Sequence, residues 1–236
     1  MSRARDVASI VQGTTVFSGL TSSADAKLLK GDSSAISQYF QNSTTGSGGT
    51  DGVQIALGSS EDFQIWNYEN TALTIATNNA EALKIDANGH ITMVKQPAFL
   101  VKPDANQDGL AINTYHTVQF DEEVFDQNAD FNTSTYTFTA PVTGRYQLNT
   151  SVYLYNIDKD ADYILIFIET SNRSYSVIFD PGGYAADINY QSWVQTVVAD
   201  MDASDTAVVK VYQQAGAAQS NLIAGNYTWF SGVLVA

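Results

Sequence analysis

The segment from Tyr146 to Tyr155 constrains the fold of this chain most strongly, because apolar and polar residues alternate along it. One side of the alternation carries Tyr146, Leu148, Val152 and Leu154. The other side carries Gln147, Asn149 and Ser151. A period of two residues predicts a β-strand with one face in a core and the other toward water. Pro141 and Gly144 place a turn between this strand and a shorter strand-like run that ends at Phe138.

Further strand-like runs follow, and they predict an all-β sandwich for the second half of the chain. The run Tyr163–Ile168 is continuously apolar, as expected of a strand that is covered on both faces or lies at a seam between chains. Four more strands are predicted, at residues 175–179, 190–199, 207–212 and 227–235. Turn-forming residues separate them, at 180–183, 202–205, 216–221 and 225–226.

Four segments in this half resemble the globular head domain of the complement and tumour-necrosis-factor superfamily. Phe138–Tyr146 matches the family segment Phe-Thr-Ala-Pro-x-x-Gly-x-Tyr, which joins two central strands of a jelly roll. The other three, in the family's order, are Pro97–Phe99, Val118–Asp121 and Trp229–Leu234. The resemblance covers residues 96–236. It implies a compact homotrimeric jelly-roll sandwich that serves recognition and not catalysis.

Residues 51–95 have a different sequence pattern, in which short strand-like pieces alternate with turns. The pieces are 53–57, 63–68, 72–76, 82–85 and 90–93. Asp86–Gly89 predicts a hairpin between the last two, because Asn-Gly supplies the positive φ angles that such turns need. Each piece offers too few apolar residues to close a core within one chain. We therefore expect three chains to intertwine over this range in a short β shaft.

The pattern of residues 77–91 resembles a segment that recurs in the shafts of bacteriophage tail fibres, where it commonly precedes a globular tip. The opening residues 2–6, Ser-Arg-Ala-Arg-Asp, also resemble the start of such fibre proteins. Both resemblances imply a virion protein.

The first 40 residues are predicted to be a small N-terminal helical anchor. Residues 2–12 favour a short helix, with apolar residues at three- and four-residue spacing on one side. Such a helix is too short to be stable alone, so we expect it to pack on a partner. Residues 24–29 and 33–40 are weaker helical candidates. The polar run 41–50 predicts a linker between the anchor and the shaft.

The distribution of charge separates this N-terminal end from the rest. The net charge of the chain is -14. Residues 1–30 contain four basic and two acidic side chains, a net of +2, so the remainder carries -16. An acidic body argues against nucleic-acid binding, whereas the basic end suits an acidic partner. The candidate virion-attachment residues are Arg3, Arg5, Val7, Ile10 and Val11.

The amino-acid composition limits the cross-links, the type of stalk and the cellular compartment expected for this protein. The chain has no cysteine, which excludes disulfides and thiolate metal sites. With 16 Gly and 4 Pro it cannot carry a collagen stalk. We find neither a membrane-spanning apolar run nor the apolar core of a signal peptide. We therefore expect assembly in the host cytoplasm, without membrane insertion.

The residues that carry chemistry are few. His90 and His116 are the two histidines, and neither has a partner at metal-ligand or catalytic-triad spacing. Acidic clusters at 121–123, 158–162 and 200–205 are interpreted as solvated loops, since none has the pattern of an EF-hand. We expect no enzyme activity, no cofactor and no catalytic or metal residue, and leave open whether the head binds calcium.

Two interpretations remain open for the tyrosines. They either stack on sugars or fill the axis of a trimer, where this superfamily places aromatic side chains, and the axis is favoured for those inside strands. The tyrosines concerned are Tyr153, Tyr155, Tyr184, Tyr190 and Tyr212. Tyr184 lies in the loop 181–187 instead, so Gly183, Tyr184 and Asp187 are the candidate receptor-binding residues.

Taken together, these patterns predict a trimeric phage fibre that recognises a host glycan or surface protein with its C-terminal head. Three heads on one fibre raise a weak single-site affinity by effective concentration. The alternative is a capsid decoration or head-fibre protein with a structural role. A glycan-cleaving enzyme is disfavoured, because no pair of acidic residues can be singled out.

Overall fold

The computed structural model describes residues 32–236, which contain eighteen β-strands and two short 3-10 turns, and no α-helix. The predicted all-β class is confirmed. The predicted helices at 2–12 and 24–29 lie outside the described residues. Within residues 32–236 there is no helix long and apolar enough to cross a membrane. The chain divides into two compact units, the first ending at Leu73 and the second running from Thr74 to Ala236.

In the first unit, three antiparallel strands form one small sheet: β1 (Ile36–Phe40), β2 (Val53–Leu57) and β3 (Phe63–Asn67). The helix predicted over 33–40 is therefore wrong. Every residue of β1 pairs with β2, and this pairing outweighs the local spacing that favoured a helix. Residues 41–50, the predicted linker, connect these two paired strands. The Gln41 side chain closes the loop by donating to the carbonyls of Gly48 (2.6 Å) and Asp51 (2.9 Å).

A second small sheet begins at Leu73, where the two units meet in the sequence. It consists of β4 (Leu73–Thr77), β5 (Ala80–Ile85) and β6 (Ile91–Thr92). Asn78 and Asn79 both have positive φ, which is the requirement of a two-residue type I′ turn. The hairpin predicted at 86–89 is confirmed. Only Gly89 in it has positive φ, and the Asp86 carboxylate holds the turn by accepting the N–H groups of Asn88 and His90.

Most of the second unit is a jelly-roll-like sandwich of two antiparallel sheets. One, called the β13 sheet, has the order β10 (Phe131–Asn132), β11 (Thr137–Thr139), β16 (Thr206–Gln214), β13 (Tyr163–Thr170) and β14 (Ser174–Phe179), with β8 (Tyr115–Thr117) also paired to β16. The other, called the β12 sheet, has the order β15 (Ile188–Met201), β12 (Gly144–Ile157), β18 (Trp229–Leu234), β7 (Ala98–Lys102) and β9 (Glu122–Asp126), with β17 (Asn221–Leu222) also paired to β12.

The alternating segment Tyr146–Tyr155 lies in the central strand β12. Its predicted inward side is confirmed, since Tyr146, Leu148, Val152 and Leu154 are completely buried. The turn before it carries the chain from β11 in one sheet to β12 in the other. The Tyr146 hydroxyl fixes this crossing by donating to the Val142 carbonyl at 2.7 Å.

Each of the four family-like segments contributes one phenylalanine to the core between the sheets. These are Phe99, Phe120, Phe138 and Phe230, all almost completely buried. The ring centroids of Phe99 and Phe138 are 4.7 Å apart, and those of Phe99 and Phe230 are 5.1 Å apart. Phe120 lies 5.8 Å from Phe230, although residues 118–121 fall between β8 and β9 and not in a strand as predicted. The four segments therefore converge on one aromatic cluster.

Gly232 makes room for this cluster, and its substitution provides a test. In β18 it pairs with Phe99 on one side and Leu148 on the other. A Cβ atom there would collide with the Phe99 ring and lie 2.9 Å from Leu148 Cδ2. We expect Gly232→Ala to lower the free energy of unfolding by about 1–3 kcal/mol, measured by urea denaturation. The neighbouring Ser231→Ala, on the outward side of the strand, should change it by less than about 0.5 kcal/mol. Equal stability of the two variants would contradict this packing.

Candidate functional site

The predicted receptor-binding loop begins directly after β14. The Asp180 carboxylate accepts the N–H of Gly182 at 2.8 Å, and the N–H of Tyr184 donates to the Pro181 carbonyl at 3.0 Å. These two bonds form a 3-10 turn and fix the start of the loop. Tyr184 projects from it with half of its surface exposed, and its ring centroid is 5.9 Å from that of Phe179. Gly183 has open space around it, because a Cβ there would meet no atom within 4 Å.

A second loop, residues 158–162, lies against the first. The backbone N–H of Lys159 donates to the Asp187 carboxylate at 3.1 Å. The two loops enclose an open cavity of about 400 Å³. It is lined by Lys159, Asp160, Ala161, Asp162, Asp180, Gly182 and Tyr184. Tyr184 thus meets an acidic loop that the sequence analysis had treated as solvated charge, while Gly183 is not among the lining residues.

The cavity and its rim are acidic. Four carboxylates, at Asp160, Asp162, Asp180 and Asp187, face one ammonium group, so the local net charge is -3. The hydrogen bond to Asp160, 2.5 Å from Lys159 Nζ, raises the pKa of Lys159 above its ordinary value. Across residues 32–236, no three His, Cys, Asp or Glu side chains are arranged to hold a metal ion. Such a cavity suits a polar ligand that is neutral or cationic.

Asp158 holds the second loop in place. Its side chain is almost completely buried and accepts the N–H groups of Asp160 (2.8 Å), Ala217 (2.5 Å) and Ala218 (2.8 Å). Burial raises the pKa of Asp158, but these backbone hydrogen bonds outweigh burial, and the pKa lies below its ordinary value. The carboxylate therefore ties the loop 158–162 to the segment after β16.

The outer face of the β12 sheet carries a different, mainly apolar surface. A cavity of about 530 Å³ is lined by Leu100, Lys102, Val124, Phe125, Asn226, Trp229 and Ser231. It adjoins a second one of about 350 Å³, lined by Ser151, Tyr153, Ser192, Asn226, Tyr227 and Trp229. The two cavities share Asn226 and Trp229. Tyr190 borders them, with its ring centroid 5.8 Å from that of Tyr153. We call this surface the β12 face.

The tyrosines with two open interpretations therefore lie in three places. Tyr153, Tyr155 and Tyr190 belong to β12 and β15, and the Tyr155 hydroxyl is hydrogen-bonded to the Asp108 carboxylate, which raises the pKa of Tyr155. Tyr212 belongs to β16, in the opposite sheet. Tyr184 lies in the loop, as described above.

The remaining predicted residues have other positions. The ring of His90 is 2.9 Å from the Asp86 carboxylate within the β5–β6 hairpin, and that of His116 is 3.0 Å from the Ala111 carbonyl. Both histidines thus make local structural contacts. The predicted attachment residues lie outside the described residues: Arg3, Arg5, Val7, Ile10 and Val11.

Comparison with known proteins confirms the complement-type resemblance. The C1q domain family matches residues 98–235, more than half of the chain, and the chain belongs to this family. The globular domain of zebrafish complement 1qA is similar, with 18% identity and a TM-score of 0.45, over 60% of this chain and 98% of that one. Murine APRIL, in crystals at pH 8.5 and pH 5.0, has 16% identity and a TM-score of 0.42, over 60% of this chain and 100% of that one. No curated protein matches the chain. Domains of the C1q and tumour-necrosis-factor type are generally non-enzymatic binding domains.

Replacing the Asp158 carboxylate tests whether it holds the loop 158–162 in place. We expect Asp158→Asn to lower the free energy of unfolding at pH 7 by about 1–3 kcal/mol, because an amide cannot accept all three backbone N–H groups. The native pKa lies below the unfolded value of about 3.9, so this stabilisation is present above pH 4 and is lost as pH falls further.

Urea denaturation followed by tryptophan fluorescence at pH 7 and at acidic pH measures both effects. The difference in free energy of unfolding between the Asp158→Asn variant and the wild type should become smaller at acidic pH. Asp160→Asn, at an exposed carboxylate in the same loop, serves as the control and should show little change at either pH. A gap for Asp158→Asn that stayed constant with pH would show that the carboxylate charge does not hold the loop.

Proposed function

We propose that this chain is a trimeric fibre protein of a bacteriophage virion, held to the particle by its N-terminal residues, which recognises the host surface with its C-terminal C1q domain. The order of its parts carries this proposal. A domain from a family of binding modules follows two small three-stranded sheets. The second of these sheets contains residues 77–91, whose sequence resembles phage fibre shafts. A fibre needs a held end and a free end, and this order supplies both.

Trimerisation is supported by the family and by the first sheet. C1q and tumour-necrosis-factor domains commonly form homotrimers and bind receptors. The register of β1, β2 and β3 places five large apolar side chains on one face of the sheet. They are Phe40, Ile55, Leu57, Phe63 and Ile65, all exposed in the single chain. A three-stranded sheet with such a face needs a covering layer, and two further copies of the chain provide it.

The β12 face supports the same assembly in the head. It exposes Phe125, Tyr190, Val194 and Tyr227 beside its two cavities, of which the larger is mainly apolar. Burial of each large apolar side chain contributes about 1.5–3 kcal/mol, so a neighbouring copy packed on this face gains substantial stability. This arrangement favours the trimer-axis interpretation of Tyr153 and Tyr190 over sugar stacking.

Residues 1–30 are proposed to bind another virion protein of the tail or capsid. This range holds net positive charge while the rest of the chain is strongly acidic. The basic residues Arg3 and Arg5 lie next to the apolar residues Val7, Ile10 and Val11. Such a segment combines electrostatic attraction to an acidic partner with an apolar surface to bury.

The oligomeric state gives the first test of this proposal. Light scattering of the purified chain should give a mass near three times 25.5 kDa. Ile55→Asp places a charge in the middle of the apolar face and should shift the mass toward a single chain at micromolar concentration. Val142→Asp, at an exposed apolar residue in the turn before β12, is the matched control and should stay trimeric. A folded wild-type monomer would contradict trimerisation. If the Ile55→Asp variant stayed trimeric, the first sheet would not be part of the trimer interface.

Deletion of residues 1–30 tests the attachment end. The truncated protein should remain trimeric and still adsorb to host cells, but it should be missing from purified particles, because its partner-binding segment is gone. Quantitative immunoblotting of virions produced with each version measures incorporation. Truncated protein at normal copy number on virions would refute this role for the N-terminus. Antibody labelling of wild-type particles decides between a tail fibre and the alternative, a decoration protein on the capsid shell.

A further inference from the structure

The β13 sheet presents a second aromatic face, on the side of the sandwich opposite the β12 face. In β13, Ile164, Ile166 and Ile168 point into the core, so Leu165 and Phe167 lie on the outer side. The strand registers place Leu165 opposite Tyr212 and Ile178, and Tyr212 opposite Tyr115. Four strands therefore contribute one row of side chains across the sheet. We call this row the platform: Tyr115, Tyr212, Leu165 and Ile178.

Both ends of the platform are exposed to solvent, and ring stacking holds the Tyr115 end in place. Tyr115 is 57% exposed and Ile178 is 68% exposed. The rings of Tyr115 and Tyr212 are stacked, with centroids 4.5 Å apart and planes 29° apart. Tyr115 also packs on Phe167 at 5.6 Å. Three strand spacings of about 4.8 Å give the row a length of about 14 Å. This is an extended aromatic and aliphatic strip held in shape by the sheet.

Hydrogen-bonding side chains border the strip on both sides. On one side the neighbouring row consists of Thr117, Lys210, Phe167 and Ser176, and on the other side it contains Gln214 and Tyr163. The Tyr212 hydroxyl donates to the Gln214 side-chain oxygen at 2.5 Å. These groups offer donors and acceptors within reach of a ligand that lies on the strip.

The charge of this surface differs from that of the chain. Two charged side chains of its strands, Lys210 and Glu169, are 2.6 Å apart and neutralise each other. The four platform residues are themselves uncharged, and Asp180, two residues after Ile178, adds one negative charge at that end, whereas the chain carries -14. A polyanion would be repelled by the acidic chain, and none of the four platform residues offers a carboxylate to bind a cation. The ligand that this surface complements is neutral.

We infer that the platform is a binding site for a neutral oligosaccharide of the host surface. A sugar ring has an apolar face of C–H groups and a rim of hydroxyls, which match an aromatic strip bordered by hydrogen-bonding side chains. This inference rests on the proposed function and locates its receptor contact on the β13 sheet. Packing of neighbouring copies on the β12 face leaves the opposite sheet outward, so three platforms bind together and raise a weak affinity.

The test uses the full-length trimer and four defined saccharides. Chitohexaose, cellohexaose and maltohexaose are the neutral probes, and heparin is the anionic one. Saturation-transfer NMR and calorimetric titration should show binding of at least one neutral hexasaccharide and none of heparin. Tyr115→Ala removes the stacked ring, and Ile178→Ser alters the opposite end of the row. Each should weaken binding by about tenfold. Val142→Ala, at an exposed apolar residue outside the platform, should bind as wild type does.

Circular dichroism and light scattering of each sample keep the outcomes distinct. A trimeric wild type that binds none of the neutral probes refutes the platform and leaves the fibre proposal standing, whereas a monomeric wild type refutes the trimer on which both depend. Unchanged affinity in both platform variants also overturns the inference. If Tyr184→Ala abolishes binding while Tyr115→Ala does not, the site is the loop. If the trimer associates further with concentration and Tyr115→Ala abolishes this, a second copy of the chain occupies the platform.

Discussion

The packing of the Phe99 ring against the backbone of Gly232 is the contact on which the rest of the head depends. It joins β7 and β18, which come from the two ends of the head sequence, and it seats Phe99 between Phe138 and Phe230. Because the side-chain period of a strand is two, a slip of β18 by one residue would put Trp229 and Ser231 in the core and Phe230 in water. The contact therefore fixes which residues form the β12 face as well as which form the core.

The two sheets use this fixed register for different purposes. The β12 face has a mainly apolar cavity beside a more polar one, and we propose that it packs against another copy of the chain. The platform on the β13 sheet consists of uncharged aromatic and aliphatic side chains bordered by hydrogen-bonding groups, and we propose that it binds a sugar. The acidic cavity between the loops 158–162 and 180–187 has a third character. In the proposed trimer, the sandwich thus separates assembly from recognition by placing them on opposite sides.

Local periodicity and turn chemistry were enough to predict most strands, since alternation in β12 and the Asp86–Gly89 turn depend on neighbours in sequence. The helix predicted over 33–40 failed because pairing with β2 is a contact that no local pattern reveals. The candidate site was predicted only in part for the same reason. The hairpin of β13 and β14 brings Tyr184 to Lys159, and the platform depends on Tyr115 in β8, a strand of three residues with too little sequence to predict. The N-terminal attachment segment stays a prediction.

The position of β18 has a consequence for how the head forms. This strand follows all the others along the chain, yet it lies in the middle of its sheet between β12 and β7. The side chain of Gln96 donates to the Leu234 carbonyl across 138 residues of sequence. During synthesis, one edge of β12 and one edge of β7 therefore stay unpaired until β18 leaves the ribosome. Such long-range pairing is slow, and the exposed strand edges are prone to aggregation until it forms. The sandwich is completed only when β18 pairs. Mispairing between neighbouring nascent chains is therefore most probable just before that step.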